Sequence, residues 1–253
     1  MYPEEQYVSP FLKHEREGYA EEEDIRVDRV YYINLDRAID RNKHFIAQCK
    51  REHVPESKLE RYAAIDGTTY AFSDAEKAMF TQCDYRNEPF APKIMGNQLS
   101  HYRILQDMIA KGYQHILVFQ DDAVLRRGFV SLVNKTVAHL PHDAELVSIG
   151  FHAHASNADF VAWDLTREDD KVHLIKKAVN PYVGHLWDGI NPCSLAYLVT
   201  NRGARALVRH FETHGFRSAT DWNYNRYLLS KRIFYGSTTV LVTGNATFES
   251  SIF

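Results

Sequence analysis

The stretch Ile116-Leu117-Val118-Phe119-Gln120-Asp121-Asp122 carries the most information about the fold of this chain. Its four apolar residues lie between polar ones, which predicts a strand that is covered on both faces. Open α/β sheets build their binding sites at the ends of such strands. Two carboxylates at a strand end indicate a divalent cation such as Mg²⁺ or Mn²⁺, which takes oxygen ligands. A turn or a helix cap is the alternative, because aspartate side chains also bond nearby backbone N–H groups.

Predicted strands and helices alternate on both sides of this stretch, which is typical of an α/β fold. The strands are expected at residues 30–35, 61–65, 115–119, 145–149, 194–199, 232–235 and 239–242. The helices are expected near residues 37–53, 99–109, 129–137, 201–211 and 221–230. Asp36 is the candidate cap of the first of these helices, and either Thr200 or Asn201 is that of the fourth. Residues 73–92 predict a loop or short helix, and the long polar stretch 151–189 predicts a hairpin insertion or a substrate-binding excursion.

Composition and charge narrow the functional classes. With 253 residues and 45% hydrophobic content the chain can bury a full core, and a net charge of −3 gives no basic field for nucleic acid. Three widely spaced cysteines, Cys49, Cys83 and Cys193, suit neither a disulfide framework nor a zinc site, so we expect reduced thiols. The acidic residues 1–28 predict a flexible or peripheral lead-in to a single domain over 29–253. They contain no apolar stretch of signal or membrane length, so the chain as written is expected to be cytoplasmic or trimmed, without a transmembrane segment.

Several islands of sequence, in the same order along the chain, resemble glycosyltransferase family 25, the family of bacterial lipooligosaccharide galactosyltransferases and collagen galactosyltransferases. The islands are Tyr32-Ile33-Asn34-Leu35-Asp36-Arg37 with Asp40-Arg41, Ala64-Ile65-Asp66-Gly67, Gly96-Asn97-Gln98-Leu99-Ser100-His101, Leu117-Val118-Phe119-Gln120-Asp121-Asp122, Ala196-Tyr197-Leu198-Val199 with Gly203-Ala204, and Asp221-Trp222. They span residues 29–230, which is most of the chain. Two positions depart from the family pattern: Asn97 stands where the family usually has glutamate, and Gln120 replaces the first acidic residue of its metal motif.

The resemblance implies a single GT-A domain with a mixed, Rossmann-like central sheet that binds a nucleotide-diphospho-sugar. It implies an inverting, metal-dependent transferase with Mn²⁺ or Mg²⁺ as its cofactor. The expected donor is a UDP-sugar, with galactose as the first choice and glucose as the second. The expected acceptor is a hydroxyl of a glycan or of a glycosylated or hydroxylated protein. A cation held by aspartates would stabilise the diphosphate leaving group, whose negative charge grows in the transition state.

The resemblance also implies roles for individual side chains. Asp122 is the primary metal ligand, while Asp121 binds the metal directly, binds it through water, or bonds the ribose. Donor contacts are expected from five further residues, Asn34, Arg37, Asp66, Ser100 and His101. Ordinary structural roles in turns, in a solvated helix start or in the core are the alternatives for these five. Gln120 lowers the charge of the metal site without removing it, since diphosphate oxygens can complete the coordination shell.

Inversion also needs a general base that deprotonates the acceptor hydroxyl. Asp221 is the first candidate, at a predicted helix start and next to Trp222, whose ring suits a sugar platform. A helix N-cap is the alternative role for Asp221, and one residue can fill both roles. Asp188, in Trp187-Asp188-Gly189, is the rival base.

Two other functional classes remain open on the sequence. A catalytically degenerate carbohydrate- or nucleotide-sugar-binding protein is the alternative that Gln120 and Asn97 favour. A metal-dependent phosphoesterase could also use Asp121 and Asp122, although such sites generally gather more carboxylates or histidines around two metals.

Overall fold

The computed structural model of this chain describes residues 24–151, 175–186, 194–245 and 248. Within these residues strands and helices alternate, as the sequence predicts. The strands are β1 (Arg29–Asn34), β2 (Leu59–Ala63), β3 (His115–Gln120), β4 (Ala123–Leu125), β5 (Leu146–Ser148), β6 (Gly150–Phe151), β7 (Ile175–Ala178), β8 (Val183–Leu186), β9 (Ala196–Thr200), β10 (Tyr235–Ser237) and β11 (Val242–Gly244). The helices are α1 (Ile39–Arg51), α2 (Asp74–Ala78), α3 (Ala91–Lys111), α4 (Phe129–Ala138), α5 (Asn201–His214) and α6 (Thr220–Lys231), with a 3₁₀ turn at Glu56–Lys58.

Most of the strands form one large mixed sheet. In the described residues it has eight strands in the order β2-β1-β3-β9-β5-β10-β8-β7. Strands β2, β1 and β3 run parallel, whereas β9 is antiparallel to both of its neighbours. The prediction of an α/β fold with a mixed central sheet is therefore confirmed. The register pairs Ile33 with Gln120, so the next residues along the two strands, Asn34 and Asp121, lie side by side.

A smaller sheet brings the residues after β11 close to the carboxyl end of β3. It consists of β4, β11 and β6 in that order, with β11 antiparallel to β4 and parallel to β6. Gly244 pairs with Ala123, the first residue after Asp122. The backbone N–H of Asn245 then donates to the carbonyl of Asp122 at 2.8 Å. Residues near the end of the sequence therefore border the Asp121-Asp122 turn.

Strand β3 is buried on both faces, as its apolar run predicts. Residues 116–119 are at most 1% exposed, and the ring of Phe119 packs against those of Phe45 and Phe129 with centroids 5.4 and 5.8 Å away. Helix α3 packs against β1, β2 and α5, while α1 packs against β4. Burying each such ring contributes about 1.5–3 kcal/mol relative to leaving it in water. This packing fixes the end of β3, where the acidic pair lies.

Helix α3 begins earlier than its apolar periodicity predicts. It starts at Ala91, with Pro92 in its first turn, and ends at Gly112 in the left-handed conformation (φ 70°), where the sequence predicts its end. Gly96 therefore lies inside the helix and not in a loop before it. A Cβ atom at Gly96 would come within 2.3 Å of the Ile65 carbonyl oxygen, so glycine permits close packing of α3 against the loop after β2.

Other boundaries differ from the prediction for local reasons. Helix α1 begins at Ile39 without a side-chain cap, because Asp36 pairs with Arg61 instead of capping the helix. Thr200 does cap α5, accepting from the N–H of Gly203. Helix α6 extends to Lys231 and ends on Arg232 in the left-handed conformation (φ 60°), so the next strand begins only at residue 235.

The two long polar segments of the sequence lie partly outside the described residues. Residues 1–23 are outside them, whereas Ile25 and Val27 are buried in the core. In the segment 151–189, strands β7 and β8 pair antiparallel at the edge of the large sheet, while residues 152–174 and 187–193 are outside the described part. Cys49 and Cys83 are buried and free, and burial raises the pKa of the Cys49 thiol to about 12.

Candidate functional site

Asn34 and Asp121, at the carboxyl ends of β1 and β3, form a hydrogen-bonded group with Arg41 of α1 and Arg61 of β2, and we call this group the Asp121 cluster. Asn34 Nδ2 donates to Asp121 Oδ2 at 2.7 Å, and Arg61 Nε donates to Asn34 Oδ1 at 2.8 Å. Asn34 and Asp121 are only 2% and 6% exposed. The sequence assigns both residues to one site, and the structure brings them into direct contact.

Arg41, on α1, supplies the second contact to the carboxylate. Its guanidinium donates to Asp121 Oδ1 at 3.0 Å, and the two side chains are 13% and 8% exposed. Each oxygen of Asp121 therefore accepts a bond from a side-chain nitrogen, which fixes the orientation of the carboxylate. Sequence reasoning did not assign Arg41 to the site, because an arginine on a helix is usually exposed to solvent.

Asp122 has different surroundings from Asp121. It lies in the turn between β3 and β4, and its carbonyl accepts the N–H of Asn245. Its Oδ1 atom is buried, although the residue as a whole is more exposed than Asp121. Asp122 is therefore the more exposed residue of the pair.

The acidic pair fits one kind of divalent-cation site. Among the described residues, no group of three or more histidine, cysteine, aspartate and glutamate side chains is arranged to hold a metal ion. Both oxygens of Asp121 already accept nitrogen donors. A cation here would take few protein ligands, Asp122 foremost, and would complete its shell with substrate oxygens and water, as Mg²⁺ commonly does. The residues therefore fit a cation bound together with a diphosphate rather than a closed protein cage.

Both departures from the family pattern make neutral hydrogen bonds. Gln120 Nε2 donates to Ser194 Oγ at 2.9 Å, which joins β3 to the residues that lead into β9. Asn97 Oδ1 accepts from Thr220 Oγ1 at 2.7 Å, which joins α3 to α6. A glutamate at position 120 would have no side-chain N–H group to donate to Ser194. The two amides thus hold elements together where the family pattern has carboxylates.

Arg37 and Asp66 lie together at the edge of the site on the β2 side. The guanidinium of Arg37 pairs with a carboxylate oxygen of Asp66. The other Asp66 oxygen accepts from the N–H and hydroxyl of Thr68 at 3.1 and 2.7 Å, the turn role expected as the alternative for this residue. The Arg37 side chain is 53% exposed, so it remains accessible to a ligand.

Ser100 ties α3 to the loop that contains Asp66. Its hydroxyl donates to the Gly96 carbonyl at 2.7 Å and accepts the N–H of Ile65 at 2.9 Å. Ser100 has no exposed surface. These contacts favour an indirect role, in which Ser100 fixes the loop after β2, and direct contact with the donor stays a prediction.

His101 belongs to a buried polar chain. Its Nδ1 lies 2.8 Å from the Tyr197 hydroxyl, which lies 3.2 Å from the Tyr224 hydroxyl. His101 is completely buried, and this desolvation lowers its pKa to about 3, so the ring is neutral near pH 7. Its Nε2 atom has no hydrogen-bond partner in the described part of the chain. The geometry matches the core role named as the alternative, and a donor contact from His101 remains untested.

Asp221 lies in the first turn of α6, beside Thr220. The cap position is Ala219, so the expected N-cap role does not apply, and Asp221 Oδ1 accepts the N–H of Trp222 at 2.9 Å. Trp222 is 37% exposed, and such a ring can contact a sugar. Asp188, the rival base, lies outside the described residues.

Two residues near the C-terminus also border the site, and sequence reasoning did not find them. Asn245 Nδ2 lies 3.3 Å from His44 Nε2, and the ring of Phe248 lies against both His44 and Arg41. They are far from the acidic pair in sequence and lie in no motif. The only available signal was the pairing of β11 with β4, which requires a correct sheet topology.

Known proteins resemble this chain over a region that contains the Asp121 cluster, Asp66 and Asp221 but not Asn245 or Phe248. A sequence profile of the family described as "Glycosyltransferase family 25 (LPS biosynthesis protein)" matches residues 27–221. The Homo sapiens protein named "Inactive glycosyltransferase 25 family member 3" is 25% identical over 197 residues, which is 73% of this chain and 29% of the relative. The Rattus norvegicus protein named "Probable inactive glycosyltransferase 25 family member 3" is 24% identical over 200 residues, which is 74% of this chain and 31% of the relative.

The matched regions therefore cover less than a third of the length of either curated relative. In the part of the chain that the structure describes, no helix combines the length and the apolar character needed to cross a membrane.

Proposed function

The chain belongs to glycosyltransferase family 25, and from that premise we propose that it moves a hexose from a UDP-sugar to a hydroxyl acceptor with inversion, in a reaction that depends on a divalent cation. Galactose is the first choice for the hexose and glucose the second. The acceptor is a glycan or a glycosylated or hydroxylated protein. The large mixed sheet is, in this proposal, the central sheet of a GT-A fold.

The single observation that carries the proposal is the Asp121 cluster at the carboxyl ends of two parallel strands. Ligands bind outside the carboxyl ends of strands in open α/β sheets, and β1 and β3 end side by side there. Asn34 and Arg41 hold Asp121 in one orientation, with Asp122 as its more accessible neighbour. Arg37 and Asp66 lie after β1 and β2, and we propose that they contact the nucleotide.

The proposed chemistry assigns a task to each of these groups. Asp122 would hold Mn²⁺ or Mg²⁺ against the donor diphosphate, and the cation would supply positive charge to the leaving group. Asp121 does not need to give up its contacts with Asn34 and Arg41, since its negative charge acts on the site from a fixed position. Ser100 would support the donor site indirectly by holding the loop with Asp66, whereas His101 lies in the core beside Tyr197 and Tyr224.

The transfer step itself needs a base on the acceptor side. We propose that the Asp221 carboxylate takes the acceptor hydroxyl proton while the acceptor oxygen forms its bond to the anomeric carbon. The bond from that carbon to the diphosphate breaks in the same step, and UDP leaves on the opposite face. Asp188 is the rival for this role. Trp222 would hold the sugar ring of the acceptor beside Asp221.

A second candidate function is a nucleotide-sugar- or carbohydrate-binding protein without turnover. Two specific observations favour it. Gln120 and Asn97 make neutral hydrogen bonds where the family pattern has carboxylates. The two curated relatives described above also have names that call them inactive or probably inactive.

One assay separates these functions. The purified chain is incubated with a panel of nucleotide sugars and Mn²⁺, and nucleotide release is measured with and without saccharide acceptors. Acceptor-dependent release of UDP supports the transferase. If the chain binds a nucleotide sugar but releases no UDP from it with any acceptor, the result supports the binding protein. Release of inorganic phosphate supports a phosphoesterase.

A further inference from the structure

Asn245 and Phe248, which we call the C-terminal pair, lie against the helix that supplies Arg41. Asn245 is anchored twice: its N–H donates to the Asp122 carbonyl at 2.8 Å, and its Nδ2 lies 3.3 Å from His44 Nε2. The ring of Phe248 meets the His44 ring edge-on, with centroids 5.6 Å apart and planes at 84°. The guanidinium carbon of Arg41 lies 5.2 Å from the centre of the Phe248 ring.

Arg41 therefore has an aromatic ring and a carboxylate as partners. Asp121 accepts one of its N–H bonds at 3.0 Å, and Phe248 contacts the guanidinium group. Arg41 is only 13% exposed, so both contacts act where water screens little. A desolvated guanidinium over an aromatic ring is held more strongly than one in water.

The body of α1 cannot shift to replace these contacts. Gln48, one of its buried residues, donates to the Ala123 carbonyl and accepts the N–H of Leu125, both at 2.9 Å. Helix α1 is thus fixed relative to β4. The freedom that remains to Arg41 is that of its own side chain, and Phe248 restricts that freedom.

We infer that the C-terminal pair is part of the donor site, where Phe248 acts as a positioning residue that holds Arg41 on Asp121, and Asn245 joins the residue after β11 to Asp122. This inference rests on the proposed function for its effect on the donor. Loss of the Phe248 ring releases Arg41 to other rotamers, and Asp121 then loses one of the two contacts that orient it. Donor binding in the presence of the cation weakens, although neither Phe248 nor Arg41 needs to contact the donor.

The first test measures UDP binding in the presence of Mn²⁺ by calorimetric titration of the full chain. We expect Phe248→Ala to raise the Kd of UDP by about tenfold. This factor corresponds to the free energy of a partly buried cation–π contact. Phe248→Tyr, which keeps the ring, should bind within about twofold of the unsubstituted chain. Tyr182→Ala is the matched control, because Tyr182 also packs its ring on a histidine, His139, at 4.7 Å but lies on the β7–β8 hairpin. Binding by Phe248→Ala equal to that of Tyr182→Ala would overturn the inference.

The second test needs no nucleotide, so it separates a failure of this inference from a failure of the proposed function. The Tm loss caused by Phe248→Ala is measured in the unsubstituted chain and again in an Asp121→Asn background. Because Phe248 acts through Arg41 on Asp121, we expect the loss to be smaller in the second background. If Asp121→Asn does not fold, Arg41→Gln serves as the background, with the same expectation. Equal losses in both backgrounds contradict the coupling, whether or not the chain binds UDP.

Discussion

At the scale of single residues, Asp121 and Asp122 are neighbours with different tasks. Asp121 is buried and bonded to Asn34 and Arg41, so it behaves as a structural part of the site. Asp122 is more accessible and is the residue proposed to hold the cation. The two aspartates should therefore respond differently to substitution, which a stability measurement can detect without any substrate.

We expect Asp121→Ala to destabilise the protein by roughly 3–5 kcal/mol, because it leaves the buried charge of Arg41 and the amide of Asn34 without their partner. Asp36→Ala is the matched control. It also removes an aspartate paired with an arginine, Arg61, but Asp36 is 84% exposed, so the loss should be below about 1 kcal/mol. Urea unfolding of both variants is the measurement. Equal, small losses would contradict the structural role of Asp121.

His101 leads to a prediction about pH. An unfolded histidine has a pKa of about 6.5, whereas burial lowers the pKa of His101 to about 3. Below pH 6.5 the unfolded state therefore binds a proton that the folded state does not, and stability is lost as the pH falls. Between pH 7.5 and 5 this loss is roughly 2 kcal/mol.

His101→Gln keeps a hydrogen-bonding group near the Tyr197 hydroxyl and cannot titrate, so it should remove that part of the pH dependence. Urea unfolding at pH 7.5 and pH 5 is the measurement, and the same substitution at exposed His142 is the control. An unchanged difference between the two pH values in His101→Gln would show that the buried ring does not titrate as described.

Asp221 is the residue on which turnover depends in the proposed reaction. Removal of a general base typically costs on the order of 10²–10⁴-fold in rate and leaves ground-state binding largely intact. We therefore expect Asp221→Asn to lower kcat by that factor while UDP still binds. Asp74→Asn is the control, because Asp74 is also in the first turn of a helix but is fully exposed on α2. If Asp221→Asn turns over normally and Asp188→Asn does not, Asp188 is the general base and Asp221 is not.

At the scale of elements, the sequence predicts what local patterns determine. The apolar run before Asp121 identified β3, since four apolar residues between polar ones are typical of a strand covered on both faces, and Gly112 marked the end of α3, where its backbone is left-handed. The start of α3 was missed, because Pro92 and Gly96 lie among the apolar residues of its first turns, where the helix packs against the loop after β2. That contact depends on Gly96, whose missing side chain gives no periodic signal.

Gly96→Ala should push α3 away from this loop. The added Cβ would lie 2.3 Å from the Ile65 carbonyl oxygen, and such overpacking costs about 1–3 kcal/mol. UDP binding should weaken as well, because Asp66 lies in the displaced loop. Gly112→Ala is the control: it strains a left-handed residue at a cost of about 1–2 kcal/mol, but nothing lies within 4 Å of the new atom. If the Gly96→Ala variant is destabilised but binds UDP normally, the loop after β2 is not part of the donor site.

At the scale of the whole molecule, the site depends on contacts between distant parts of the sequence. The family resemblance assigned Asn34 and Asp121 to one site, and the two side chains meet because β1 and β3 are parallel and end at the same edge of the sheet. The pairing of Arg41 with Asp121 and the return of Phe248 to α1 were not predictable in this way. They depend on side-chain directions and on the order of β4, β11 and β6, which local patterns do not determine.

In the proposed function, nucleotide and cation bind together. One carboxylate alone would hold Mn²⁺ weakly, and the diphosphate alone would meet two negative side chains. A ligand that binds only the folded state stabilises it by about 2.7 kcal/mol at a hundredfold excess over its Kd. The two ligands should therefore raise the Tm together by more than the sum of their separate effects.

The most direct test is the Tm of the full chain with UDP, with Mn²⁺, with both and with neither. We expect a large increase only with both ligands, reduced in Arg37→Ala and absent in Asp122→Ala, which should keep the fold by circular dichroism. An equally large increase with UDP alone would contradict the role of the cation. No increase with UDP, GDP, CDP or ADP at millimolar concentration with Mn²⁺ present would contradict the central claim that the Asp121 cluster forms a nucleotide-sugar site.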